Sequence, residues 1–132
     1  MIVVNEICPN ANTDLYPNGV IGPEDSYAEL YNCSSATINF GSLYYLTTSA
    51  GTEYRLSGEI APYSFKVFHN DIDIDLPASG VVSLTERRVD AQWIVHDRVS
   101  YPEQPPGACY ARVPDGELPW ISRTFATYGT AN

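Results

Sequence analysis

Short runs of β-branched and aromatic residues, each cut off by glycine, proline or asparagine, fill this chain and leave no uninterrupted stretch for a helix. Residues 2–7, 27–33, 42–48, 53–56, 64–69, 80–85 and 93–101 are rich in Val, Ile, Leu, Tyr and Phe and read as strands. Between them lie turn sequences such as Pro17-Asn18-Gly19, Pro77-Ala78-Ser79-Gly80 and Pro105-Pro106-Gly107, where proline presets φ and glycine supplies φ > 0. Glu29, Tyr31 and Cys33 alternate with Ala28, Leu30 and Asn32; Trp93, Val95 and Asp97 alternate with Ile94, His96 and Arg98. Period two requires sheets with one buried and one wet face. Strands spaced roughly ten residues apart predict an all-β, two-sheet sandwich of about seven to nine short, mostly antiparallel strands, in one domain over 1–132. Tyr31, Tyr44, Tyr45, Tyr54, Phe65 and Trp93 are expected to fill the layer between the sheets.

With 44% apolar and 17% charged residues among 132, the chain has the composition of a packed globule that folds alone. Sixteen acids against seven basic residues give a formal charge of −9. Lys66 and six scattered arginines make no phosphate-neutralising patch, so no nucleic acid is expected as a partner. No run approaches the roughly 20 apolar residues that span a bilayer, so no membrane insertion is expected. Met1 leads directly into a strand, as a start added to a domain cut from a larger protein would. The acidity favours a monomer or weak dimer.

Cys8, Cys33 and Cys109 cannot form a closed disulfide set, and none has a partner at zinc-ligand spacing. One bridge plus a free thiol, or three buried thiols, remain open. If the first two strands form an antiparallel hairpin, Cys8 and Cys33 end at opposite poles, which makes Cys109 with Cys8 or Cys33 the candidate disulfide.

Asp71-Ile72-Asp73-Ile74-Asp75 is the most suggestive acidic run, a calcium candidate through Asp71, Asp73 and Asp75. An EF-hand is excluded, because Leu76 stands where the turn glycine belongs and Val82 where the closing glutamate belongs. The competing reading is a strand with Ile72 and Ile74 inward and solvated acids outward. His69, His96 and Cys109 are weak material for a metal or nucleophile site. No Gly-x-Ser-x-Gly, His-Glu-x-x-His or Gly-x-Gly-x-x-Gly motif occurs, and no enzyme is expected. Asn32-Cys33-Ser34 fits the glycosylation pattern in form only. The irregular stretch 9–25 has the length of a functional loop. Tyr16, Tyr63, Tyr101, Tyr110, Tyr128 and Trp120 lie in or beside loops, either as a ligand or partner surface or as staples for the C-terminal segment, Trp120 against the Pro114 turn. Glu6 and Glu29 fall inside strands, where a buried carboxylate needs a partner, and Arg112 is the expected one.

Val3-Val4-Asn5-Glu6-Ile7, Tyr27-Ala28-Glu29-Leu30-Tyr31-Asn32 and Ile38-Asn39-Phe40-Gly41-Ser42-Leu43-Tyr44-Tyr45-Leu46 follow one another in an order that resembles the opening of the lamin tail domain. Leu76-Pro77-Ala78-Ser79-Gly80 and Asp97-Arg98-Val99-Ser100-Tyr101 are similar to its middle strands. Arg112, the Pro114-Asp115-Gly116 turn, Trp120, Gly129 and Asn132 match the closure of bacterial copies. The resemblance covers nearly the whole chain. It implies an immunoglobulin-like sandwich without catalytic residues, used in bacteria as a module of secreted or surface proteins. The cysteines, the 9–25 loop and Tyr128 in place of a proline depart from the family pattern. The expectation is an extracytoplasmic anchoring module binding protein partners through loops or a sheet edge. The alternatives are a carbohydrate-binding accessory module of a secreted hydrolase, with polysaccharide as partner, and a lamin-like intracellular scaffold.

Overall fold

A computed structural model describes residues 1–41, 43–90 and 92–132. Among these the chain forms eleven strands: β1 (Ile2–Cys8), β2 (Tyr27–Asn32), β3 (Ile38–Asn39), β4 (Tyr44–Thr48), β5 (Glu53–Arg55), β6 (Glu59–Ile60), β7 (Phe65–His69), β8 (Gly80–Arg87), β9 (Trp93–Tyr101), β10 (Cys109–Arg112) and β11 (Trp120–Arg123). The seven expected runs are all present; Ser42, at the head of one, lies outside the described residues. The additional strands are the short β3, β6, β10 and β11.

Three antiparallel sheets result, in the orders β11-β10-β1-β2-β7, β5-β4-β8-β9 and the small pair β3-β6. The two larger sheets form a β-sandwich. Ile2, Val4, Ile7, Leu30 and Phe68 from one meet Leu46, Val82, Leu84, Val99 and Tyr101 from the other in a single buried cluster. Each such aliphatic side chain contributes roughly 1.5–3 kcal/mol of transfer free energy. All seven residues of β1 are buried. A bulge at Asn5, where the register with β2 shifts between Val4 and Glu6, switches the parity of the strand. Ile2 and Val4 before it and Ile7 after it therefore all join the core, while Asn5 and Glu6 meet the C-terminal segment.

Two expectations fail here. Of the six aromatics expected in the inter-sheet layer only Tyr44 and Tyr54 pack on the core; Tyr45 and the 65% exposed Trp93 lie on the outer face of one sheet, and Tyr31 and Phe65 stack on each other on the outer face of the other. The Asp71–Asp75 run is a turn rather than a strand, with the Asp73 and Ile74 N–H groups donating to the His69 carbonyl and Asp71 at φ 62°, a conformation aspartate tolerates better than most residues. Ile74 is buried as expected, but Ile72 points to solvent.

Candidate interaction face and the network behind it

The motif residues Asn5, Glu6, Glu29, Asp115, Gly116, Gly129 and Asn132 converge on one buried polar network. Glu6 and Glu29 are direct cross-strand partners, both fully buried. Glu6 accepts the Tyr27 hydroxyl at 2.5 Å and the Thr127 hydroxyl at 3.0 Å, and it salt-bridges Arg123 at 3.0 Å. Glu29 accepts from Asn5 Nδ2 and from the Gly129 N–H. Asn5 donates also to Asp115 and takes the Gly116 N–H; Asp115 accepts the Asn132 N–H. The Pro114-Asp115-Gly116 turn forms as its sequence demands, with Gly116 at φ 75° and the Glu117 N–H bonded to the Pro114 carbonyl. Desolvation pushes the Glu29 carboxyl up to about 8, and the charge of Glu6 pushes the same way against the N–H bonds of Asn5 and Gly129. Burial likewise raises the Tyr27 phenol, helped by Glu6.

Arg112 does not pair with Glu6 or Glu29, as the sequence suggests; Arg123 takes Glu6 instead. β10 pairs with β1 at Glu6 and Ile7, so Val4 further along turns to side chains. Its N–H donates to Asp97 at 2.8 Å and its carbonyl accepts from Arg112 at 2.8 Å, while Arg112 and Asp97 form a salt bridge at 3.0 Å. This pair ties β1 and β10 of one sheet to β9 of the other. Trp120 stacks on Tyr110 and lies under Arg112. Asn32 is buried with its amide donating to the carbonyls of Ala36, Ile60 and Ala61, so its carboxamide is committed to the fold.

Cys8 and Cys109 form a disulfide across a sequence separation of 101, and Cys33 is the free thiol, its pKa raised by burial. The bridge lies in a small cluster with Tyr27 and Leu15 and underlies a pocket of about 250 Å³ bounded by Asn12, Thr124 and Phe125. The Glu6 carboxylate and both sulfurs lie within 4.8 Å of one another, but the sulfurs are bonded to each other and Glu6 is held by Arg123, Tyr27 and Thr127. Among the described residues the carboxylates of Asp71, Asp73 and Asp75 form no comparable cluster; Asp73 is already engaged by the His69 N–H.

The loop aromatics do not share one surface. Tyr101 is buried with its hydroxyl on the Pro77 carbonyl. Tyr16 and Tyr128 pack on His69, whose ring nitrogens meet the Glu24 carbonyl and the Tyr128 hydroxyl. His69 thus fastens both the 9–25 loop and the C-terminal segment. Within that loop Asp25 is buried; backbone N–H bonds from Gly22, Tyr16 and Leu15 outweigh desolvation and hold its carboxyl below the usual range. His96 lies elsewhere, bonded to Glu86 and stacked on Tyr44. Tyr63 is exposed at a separate turn.

An organised exposed surface does exist, on the outer face of the β5-β4-β8-β9 sheet. Cross-strand register places Arg87 beside Trp93, Thr85 between Tyr45 and Val95, and Ser83 between Thr47 and Arg98. The Arg87 guanidinium sits 4.0 Å from the Tyr45 ring centroid and 4.4 Å from that of Trp93, and its far side salt-bridges Glu53 at 2.7 Å. One side of the indole is therefore fixed, while Trp93 and Val95 stay 65% and 59% exposed. Further along the strands Arg98 joins Thr47, Thr48, Ser49 and Ser83 around a depression of about 170 Å³. Single exposed apolar side chains are ordinary on a monomer, whereas neighbouring ones that form a patch are the kind of feature that accompanies contact surfaces. Among the described residues no helix is long and apolar enough to cross a membrane. No family model, no curated protein and no solved structure matches this chain.

Proposed function

We propose that this chain is a non-catalytic interaction and anchoring module, a lamin-tail-type immunoglobulin-like sandwich carried by a larger extracytoplasmic protein of bacterial type, with the outer face of the four-stranded sheet as its contact surface. The carrying observation is Trp93 and Val95 exposed side by side, the indole held against the Arg87 guanidinium, which also covers the half-buried Tyr45 ring. Aromatic and arginine anchors held in one conformation lose little entropy on binding, which is why they dominate interface energetics. Of the loop residues that sequence offered as partner surface, Tyr101 is buried and Tyr110 is stacked on Trp120, while Tyr16 and Tyr128 give one side of their rings to His69 and Tyr63 stands alone at its turn; this favours the face over the poles. The Cys8–Cys109 bridge supports an oxidising compartment and weighs against an intracellular scaffold.

Co-sedimentation with a panel of bacterial cell-envelope preparations tests this. The wild-type domain is expected to be retained by envelope material, and a Trp93→Ser, Val95→Ser double variant to stay in the supernatant while still unfolding cooperatively within several degrees of the wild type. Equal retention of the two proteins, or none of either, would contradict the reading.

A further inference from the structure

We infer that the outer face of the four-stranded sheet binds an acidic polysaccharide of the uronic-acid type, Trp93 stacking on a sugar ring and Arg98 taking a carboxylate; this rests on the reading of that face as the contact surface. Charge selects the ligand. Three of the six arginines, Arg55, Arg87 and Arg98, lie on this face by register, and of the acids carried by its four strands Glu53 alone shares it. Asp97 is turned to Val4 and Arg112, and Glu86 to His96. In a chain of formal charge −9, an anionic polymer is attracted here and repelled from the remaining surface.

Side-chain chemistry narrows it further. Arg98 borders the same depression as Thr47 and Ser49, a fork of donors matched to a carboxylate beside hydroxyls that can donate to a sugar, whereas the Thr48 hydroxyl is taken by the Asp75 carbonyl and Ser83 is buried. Trp93, with one side against Arg87 and 65% of its surface exposed, offers an apolar ring for the face of a pyranose. Strand rise puts Trp93 and Arg98 roughly 15 Å apart, so the ligand that uses both is an extended polymer rather than a single small anion. The N–H and C=O groups of the sheet lie in its plane and serve the ladder. A peptide added as a strand needs an edge, whereas this face presents side chains alone.

The test is titration of polygalacturonate into the domain at low salt, read by calorimetry and tryptophan emission, with dextran and poly-L-glutamate as comparison polymers. Saturable binding to polygalacturonate is expected, weakened by added salt and by about tenfold or more in Trp93→Ala and in Arg98→Met. Val20→Ser, an exposed site in the 9–25 loop, should bind as wild type. Equal affinity for dextran would overturn the inference by removing charge from it, and equal affinity for polyglutamate would replace the sugar with an acidic peptide. Failure to bind polygalacturonate, or undiminished binding by Trp93→Ala, would also overturn it. Trp93-dependent retention on envelope material would survive any of these results, so the ligand assignment and the module reading fail separately.

Discussion

Glu6 and Glu29 oppose each other across β1 and β2 with no solvent exposure on either, and Arg123 salt-bridges Glu6 while Glu29 is met by the N–H groups of Asn5 and Gly129. Two carboxylates buried side by side resist a second negative charge, and Glu29 holds its proton up to about pH 8.

Stability should therefore carry a pH signature. In the unfolded chain Glu29 loses its proton near 4.5, in the folded chain near 8. Between those values the native state binds more protons, so stability falls as pH rises through the window. Calorimetric melting temperature is expected to drop by several degrees from pH 5 to pH 8 in the wild type. Glu29→Gln should flatten that slope; parallel slopes in the two proteins would contradict the assignment.

Removing Arg123 leaves Glu6 buried without its cation. Arg123→Ala is expected to cost about 3–5 kcal/mol in urea unfolding, the range for breaking one side of a buried pair. Amide exchange should quicken at Thr127 and Asn132, which hang on the same network. A loss of only about 0.5 kcal/mol, as at an ordinary surface site, would show that the network does not secure the C-terminal segment.

The Cys8–Cys109 bridge closes a loop across a separation of 101 residues. Chain-entropy reasoning puts its contribution at about 4–5 kcal/mol, so a Cys8→Ala, Cys109→Ala variant should unfold at markedly lower urea. Thiol titration of the denatured, unreduced protein should find one group, Cys33. Three thiols would contradict the pairing.

Core and face should respond differently to truncation. Leu46, fully buried between the sheets, is expected to cost about 2–5 kcal/mol on replacement by alanine. Trp93→Ala should cost under about 1 kcal/mol, the scale of its cation–π contact with Arg87. Equal losses by chemical denaturation would place Trp93 in the core after all.

The strands were legible because β-branched and aromatic runs end at glycine and proline, and that pattern sets sheet formation directly. Which face of a strand turns inward was not. Trp93, Val95, Val99 and Tyr101 share one parity, yet only the last two are buried. His96 is the extra residue of a bulge, since Leu84 pairs with Asp97 but Thr85 with Val95, and a one-residue bulge leaves no mark on the alternation. β10 and β11 were hidden by brevity and by the prolines around them. Asn5, Glu6, Glu29, Asp115 and Asn132, five of the eleven residues named from the lamin-tail resemblance, meet in one hydrogen-bonded network, but the choice between Arg112 and Arg123 for Glu6 is spatial. Pairing Cys109 with Cys8 rather than Cys33 was settled by β1 and β10 being neighbours.

Hydrogen–deuterium exchange on the domain bound to envelope material tests the contact surface most directly. Protection is expected on β4, β8 and β9, over 44–49, 80–87 and 93–100, with exchange in the five-stranded sheet unchanged. Protection confined to the 9–25 loop or the C-terminal segment would contradict the outer face as the site of binding.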